Sequence, residues 1–349
     1  MIRFFLLLLI FQNLFSEEVD TLPSRNIKKL VSSVFKIVLK EFPDAWNPSI
    51  IEVEEGFILT FRYLPEPIKQ AYISYVGAVL LDKNFKQISP AQLLDLRKDN
   101  FLIPSQAEDA RIFSYDDRLF IIYNDNPIVM NTRAIDRRDL YIAELFYSHI
   151  GALQEDGSIL HFDVATPIKL IHPKMYSSRI WEKNWAPFVS NGTLYLTYSI
   201  NPHEILCADL ETGICQPHYS TPFSNSWKWG SLRGGTPATL SDGEFLAFFH
   251  SGKPFVSGAS IENESLWHYL MGAYTFSATP PFNVTRISPL PINEKSFYIQ
   301  SENPKRVVYP GGYLISGDTI YVAYGKDDCE IWVAVINKTK LLKTLRPVK

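Results

Sequence analysis

One pattern recurs five times along this chain. A short strand-like run meets a tight turn, and a longer aromatic-rich run follows. The copies cover residues 50–63 turning at Glu55-Gly56, 111–123 turning at Asp116-Asp117 and 186–199 turning at Asn191-Gly192. Two more cover 236–250 turning at Asp242-Gly243 and 312–325 turning at Gly317-Asp318. Gly, Asn and Asp tolerate the positive φ that tight hairpins need, so each copy carries its own folding signal. A third strand-like run follows each hairpin, at 71–81, 140–145, 204–208, 267–276 and 330–336. Successive turns are 61, 75, 51 and 75 residues apart. Five repeats of three or more strands, irregular in length, predict an all-β five-bladed β-propeller. A β-sandwich or two smaller β domains is the competing arrangement. No low-complexity stretch or Pro/Ser-rich linker interrupts the chain, which favours one propeller domain over residues 48–349.

The composition suits that fold. The 349 residues are 46% hydrophobic and 14% aromatic, enough for a large β core. Aromatic rings also stack on sugar faces, although most aromatics serve the core. The net charge of -3, without a long basic run, argues against nucleic acid or an anionic membrane surface as partner. Residues 1–16 read as a signal peptide: Arg3 supplies the positive start, 4–11 is an apolar run, and Ser16 is small. An uncleaved anchor is the alternative. The expected location is thus secreted, periplasmic or the lumen of the secretory pathway, with no later membrane-spanning segment.

Residues 17–47 are expected to form an N-terminal helical segment. Ile27, Leu30, Val31, Val34, Phe35, Val38 and Leu39 recur at helical spacing, Ser24 can cap the helix, and Pro43 ends it. Cys207 and Cys215 flank a turn and are either paired in a disulfide or two free thiols; Cys329 is left over. Four Asn-x-Ser/Thr sequons begin at Asn191, Asn263, Asn283 and Asn337.

Unusual residues gather where each repeat begins. The second starts Glu108-Asp109-Ala110-Arg111, and a carboxylate at the head of an apolar strand needs a partner or a proton. The third starts with Arg179, Glu182, Lys183, Asn184 and Trp185. The fourth starts Arg233-Gly234-Gly235 and its aromatic strand ends at His250. The fifth contains Tyr309, and its aromatic strand runs on to Asp328. In a propeller these positions converge on the axis, so their common phase predicts one polar site there. Arg111, Arg179, Lys183, Arg233 and His250 are donors for an oxyanion or sugar hydroxyls. Asp109 and Asp328 are acids or acceptors, and Trp185 and Tyr309 offer flat rings. Each has a plainer role: Arg111 neutralising Glu108 or Asp109, Arg179 pairing with Glu182, the glycine pair forming a turn, His250 bonded in the core. No His-rich metal spacing, nucleotide-binding loop or nucleophile elbow appears, and no cofactor is expected.

These segments resemble glycoside hydrolase family 130. The resemblance rests on Glu108-Asp109-Ala110-Arg111, residues 183–188, Gly234-Gly235-Thr236-Pro237, residues 248–252, residues 269–274 and residues 307–312. It runs in order from about residue 50 to 340. The family comprises β-mannoside phosphorylases and some β-mannosidases on five-bladed propellers, and related β-1,2-mannosyltransferases share the fold. The resemblance implies an inverting reaction on a β-mannoside, by phosphorolysis or mannosyl transfer. It implies Asp109 as general acid and His250 as a phosphate contact. Arg179 and Lys183 follow as cationic partners, and Asp328 as the acidic residue of the last blade. Inorganic phosphate or mannose 1-phosphate is the implied co-substrate, and an oligosaccharide or mannoside the partner. The chain departs from the family at Ala110, where Pro is usual, and at Gly325-Lys326-Asp327-Asp328, where Gly-Ala-Ala-Asp is usual. Two other outcomes fit the same residues: an exported glycan-binding propeller without catalysis, and a β-mannoside hydrolase. The hydrolase needs a second carboxylate, for which Glu182 or Asp328 is the candidate.

Overall fold

The computed structural model describes residues 30–65, 73–97, 105–126, 137–150, 159–173, 181–225, 227–255, 266–298 and 306–349. The signal-peptide segment 1–16, residues 17–29 of the expected helical segment, Arg179 and Asn263 lie outside them.

Tight turns fold the chain back on itself in each repeat. Asp116 and Asp117 (φ 53° and 56°), Asn191 and Gly192 (49° and 72°) and Asp242 and Gly243 (53° and 82°) hold the left-handed conformation of two-residue hairpins. The described chain opens with β1 (Val31–Ile37). The first sheet then runs β2 (Trp46–Val53), β3 (Gly56–Tyr63), β4 (Tyr75–Leu81) and β5 (Gln92–Leu93). The second is built from β6 (Glu108–Tyr115), β7 (Arg118–Asp125), β8 (Asp139–Ile150), β9 (Ile159–Val164) and β10 (Ile168–Leu170). The third is β11 (Ala186–Ser190), β12 (Thr193–Ser199), β13 (His203–Ala208) and β14 (Cys215–Thr221). The fourth holds β15 (Ser231–Gly234), β16 (Thr239–Ser241), β17 (Glu244–Phe255), β18 (Leu266–Ser277) and β19 (Val284–Ile287). The fifth is β20 (Val308–Ser316), β21 (Thr319–Lys326) and β22 (Glu330–Asn337). Helix α1 (Lys338–Thr344) follows, and β23 (Arg346–Pro347) returns to the edge of the fourth sheet.

These five antiparallel sheets are the blades of a five-bladed propeller, as the repeats predicted. Each of the five apolar clusters lies between two neighbouring blades. Ile58 and Val76 meet Ile112 and Tyr123, Ile122 and Ile142 meet Leu194 and Leu196, and Phe188 and Ile205 meet Phe249 and Phe276. Phe248 and Met271 meet Val322 and Tyr324, and Ala323 and Val333 meet Leu59 and Val79. The last cluster joins the fifth blade to the first and so closes the ring. Each buried Val, Leu, Ile, Phe or Met among them contributes about 1.5–3 kcal/mol, so every blade interface is a substantial core.

Two expectations are corrected. Within the described part of the expected N-terminal helical segment, Val31–Ile37 is a strand: β1 pairs antiparallel with β22 from Ile37↔Ile331 to Val31↔Ile336 and completes the fifth blade. The apolar spacing looked helical because a register shift between Val31 and Ser33 breaks the alternation of the strand. An open sheet edge and the β-branched Val31, Val34 and Ile37 override the helical pattern. The second correction is the disulfide. Cys207 and Cys215 are free thiols on neighbouring strands. The register pairs Cys207 with Gln216 and Ala208 with Cys215, so the two thiols project from opposite faces of the sheet.

Candidate active site

The site follows from the position of the turns. Asn47, Asp109 and Asn184 each stand seven residues ahead of the first turn residue of their hairpin, Glu54, Asp116 and Asn191. All three have positive φ, at 46°, 60° and 65°, a conformation Asn and Asp accept more readily than other side-chain-bearing residues. The register of the inner strand shifts at this point in the first two blades, between Trp46 and Ser49 and between Glu108 and Arg111. A bulge of this kind re-aims a side chain. Arg62, Asn124 and His250 stand seven residues after the second turn residue of theirs, Glu55, Asp117 and Gly243. The two sets meet at one end of the axis.

Asp109 is buried, and its Oδ1 accepts a 2.8 Å hydrogen bond from Asn47 Nδ2 and lies 3.7 Å from Arg62 Nη1. Beside it, Glu108 is held by three cations. Its Oε2 is 2.6 Å from Arg62 Nη1, and its Oε1 is 2.7 Å from both Arg138 Nε and Lys183 Nζ. Asn124 Nδ2 donates to the same Oε1 at 2.8 Å. Burial alone would raise the Glu108 pKa, but Arg62, Lys183 and Arg138 outweigh it and hold the carboxyl far below the usual range. Arg62 is partly buried, and the charges of Glu108, Asp109 and Asp328 overcome its desolvation and raise its pKa.

Arg111 is a strut across the axis. Its Nε donates to the carbonyl of Gly235, and Nη1 donates to the Asp109 carbonyl at 3.2 Å. Its Nη2 donates to Gly234 O and Asn184 Oδ1 at 3.1 Å and to Tyr309 Oη at 2.5 Å. These bonds tie four blades together. The glycine pair serves the same convergence: a Cβ at Gly234 would fall 2.1 Å from Asn184 O, and one at Gly235 would fall 2.5 Å from Phe248 O.

His250 lies against Tyr309, ring centroids 4.9 Å apart. Burial, reinforced by the charges of Arg111, Arg233 and Lys183, keeps its imidazole neutral, well below the usual histidine range. Its Nδ1 is buried without a protein partner, as are Asn47 Oδ1, Arg62 Nε and Ser251 Oγ. Such atoms are costly unless something bonds them.

The structure therefore brings together Asp109, Arg111, Lys183, Asn184, His250 and Tyr309. Arg233 is exposed and pairs in register with His250, and Asp328 reaches the site through its charge on Arg62. Trp185 does not line the site. It is fully buried between the second and third blades and donates from Nε1 to Glu182 Oε2 at 3.1 Å. Burial raises the pKa of Glu182, whose two oxygens face Trp185 and Tyr198. Asn47, Arg62, Asn124 and Arg138 belong to the site and were not singled out from the sequence. For Asn124 the seven-residue phase was the available signal; in the first blade the turn lies at Glu54-Glu55, one residue before the expected Glu55-Gly56, so counting from the expected turn missed Asn47 and Arg62. Arg138 stands one residue before β8 and carries no such mark.

No protein-family model matches the chain. A 66-residue stretch is 38% identical to β-mannosyltransferase 1 of Komagataella phaffii, covering 16% of this chain and 10% of that protein. Longer likenesses are structural. The β-1,2-mannobiose phosphorylase of Listeria innocua aligns with a TM-score of 0.54 and 14% identity over 91% of this chain and 94% of its own. MPT-1, a GDP-Man-dependent mannosyltransferase of Leishmania mexicana, aligns with a TM-score of 0.58 and 12% identity, over 89% and 91%. A structure from the GH130 family of mannoside phosphorylases, described with glycoside hydrolases that target β-1,2-mannosidic linkages in Candida mannan, aligns at 0.57 and 13%, covering 85% of each. At these identities the likeness is one of fold: the chain has the five-bladed architecture of those proteins.

Proposed function

With the fold of mannoside-processing enzymes as premise, we propose that this protein is a carbohydrate-active enzyme. It exchanges a β-mannosidic bond with a phosphate-bearing partner, and Asp109 is its general acid. The observation that carries the proposal is the pairing of that carboxylate with an excess of fixed positive charge. Arg62, Arg111, Arg138, Lys183 and Arg233 are five cations; Glu108, Asp109 and Asp328 are three carboxylates, and His250 is neutral. The balance is two positive charges with Asp109 ionised and three when it carries the proton it donates, which suits a phosphate dianion.

In the degradative direction a phosphate oxygen attacks the anomeric carbon from the face opposite the leaving sugar. The carbon–oxygen bond to that sugar breaks, and the proton of Asp109 passes to the departing oxygen. The products are a mannose 1-phosphate of inverted configuration and a sugar with a new hydroxyl. Transfer from a phosphate-activated mannose is the same exchange in reverse. Of the two carboxylates that could activate water for hydrolysis, Glu182 is engaged by Trp185 and Tyr198, which leaves Asp328 as the one a hydrolase would use. The identity with a β-mannosyltransferase over a short stretch supports mannose as the sugar.

The test is incubation with mannose 1-phosphate and mannose, or with GDP-mannose and mannose, following release of phosphate or nucleotide and formation of a mannoside. No product with either donor, across mannose and N-acetylglucosamine as acceptors, would sink the proposal.

A further inference from the structure

Among the described residues, the fourth blade rises further than the others beside the site. In the other blades the strand after the hairpin turn ends at Tyr63, Asp125, Ser199 and Lys326. These positions lie within one residue of the level of His250 when counted from their turns. In the fourth blade β17 continues from His250 to Phe255, and β18 begins at Leu266, so the two strands rise together past the site. The register pairs His250 with Met271, Gly252 with Tyr269 and Pro254 with Trp267. Cross-strand partners share a face, so Tyr269 and Trp267 stand on the face that carries His250. The ring of Tyr269 is 6.0 Å from that of His250.

Gly252 shapes this face. A Cβ there would meet Trp267 Cε3 at 3.2 Å and Tyr269 Cε1 at 3.3 Å. Both rings therefore lie over the bare glycine backbone instead of standing clear of the sheet. The result is an aromatic surface that begins at His250 and runs outward. Trp267, at its outer end, is 43% exposed. An indole set over a glycine, half in water and on the face that carries His250, offers a flat ring to the apolar face of a hexose; the core gains little from a tryptophan so exposed.

We propose that Trp267 is the stacking platform for the second sugar of the reaction, the one that leaves in phosphorolysis or accepts mannose in transfer. The proposal rests on the mannoside-exchange function above. It assigns that sugar to the raised β17–β18 pair, and the mannosyl and phosphate groups to the axis.

The test is acceptor kinetics with mannose 1-phosphate as donor and mannobiose as acceptor. Trp267→Ala is expected to raise KM for mannobiose about tenfold, equivalent to about 1.4 kcal/mol. KM for mannose 1-phosphate and kcat should stay within about twofold. Trp267→Phe should recover most of the loss, because a flat ring is restored. Gly252→Val, which props the rings up, should reproduce the alanine phenotype. An unchanged mannobiose KM in Trp267→Ala, or an equal loss for both substrates, would overturn the platform while leaving the exchange reaction standing. If wild type shows no turnover, calorimetric titration of mannobiose decides instead. Weaker binding by Trp267→Ala supports the platform, equal binding refutes it, and no binding by wild type refutes platform and function together.

Discussion

Glu108 and Asp109 are adjacent carboxylates with opposite tasks. The side chain of Asp109 meets an amide donor at 2.8 Å and an arginine no closer than 3.7 Å, whereas Glu108 is gripped by three cations within 2.7 Å. Glu108 is the counter-charge that lets Arg62, Arg138 and Lys183 share a small buried volume. Glu108→Gln removes that charge and is expected to destabilise the fold by about 3 kcal/mol or more, measured by chemical denaturation at neutral pH. The pH dependence gives a second reading. A carboxyl whose pKa is depressed by folding stabilises above its ordinary range, near 4.5, and that contribution disappears as pH falls below it toward the folded value. Wild-type stability should therefore decline on acidification below about pH 4.5, and the decline should be shallower in Glu108→Gln. Parallel profiles would show that the three cations do not depend on Glu108. The pair was visible in the sequence as a costly charge cluster at a strand start, but Arg62 was not, because a lone arginine near the end of an aromatic strand resembles a solvated one.

Turn chemistry made the strands legible as elements. Positive-φ residues at the turns predicted five hairpins, and β2–β3, β6–β7, β11–β12, β16–β17 and β20–β21 stand where they were expected. Two features escaped because only the assembled molecule supplies their cause. One is β1, whose strand conformation depends on an edge presented by β22, three hundred residues away. Ile37→Ala should cost about 2–5 kcal/mol, since the side chain is 6% exposed and fills the interface between the fifth and first blades; an unchanged melting temperature would mean that β1 is dispensable. The other is Gly234, which from sequence read equally well as a turn. Its real constraint is the approach of another blade's carbonyl to 2.1 Å from a hypothetical Cβ. Gly234→Ala is thus expected to destabilise by about 1–3 kcal/mol, and thermal melting checks it; a neutral result would show that the strands can part there.

At the level of the whole molecule, the five-fold repeat converts sequence phase into spatial convergence. Residues seven before and seven after each turn arrive at one end of the axis: Asn47, Asp109 and Asn184 from one side, Arg62, Asn124 and His250 from the other. The inner glycines and the Arg111 strut hold four of the blades at bonding distance there. This geometry explains why a site assembled from five distant segments was partly readable without a structure. It also explains the error at Trp185, which lies one residue past the phase-defining Asn184 and so points into a blade interface. The central claim is that Asp109 delivers the proton while its surroundings hold the anion. Asp109→Asn isolates that step, because asparagine matches the shape of aspartate and tolerates φ of 60°. The decisive measurement is the rate of mannoside formation from mannose 1-phosphate by wild type and Asp109→Asn, with their melting temperatures compared. A loss of about a hundredfold to ten-thousandfold with melting within a few degrees is predicted. Retained turnover in a folded Asp109→Asn protein would contradict the account.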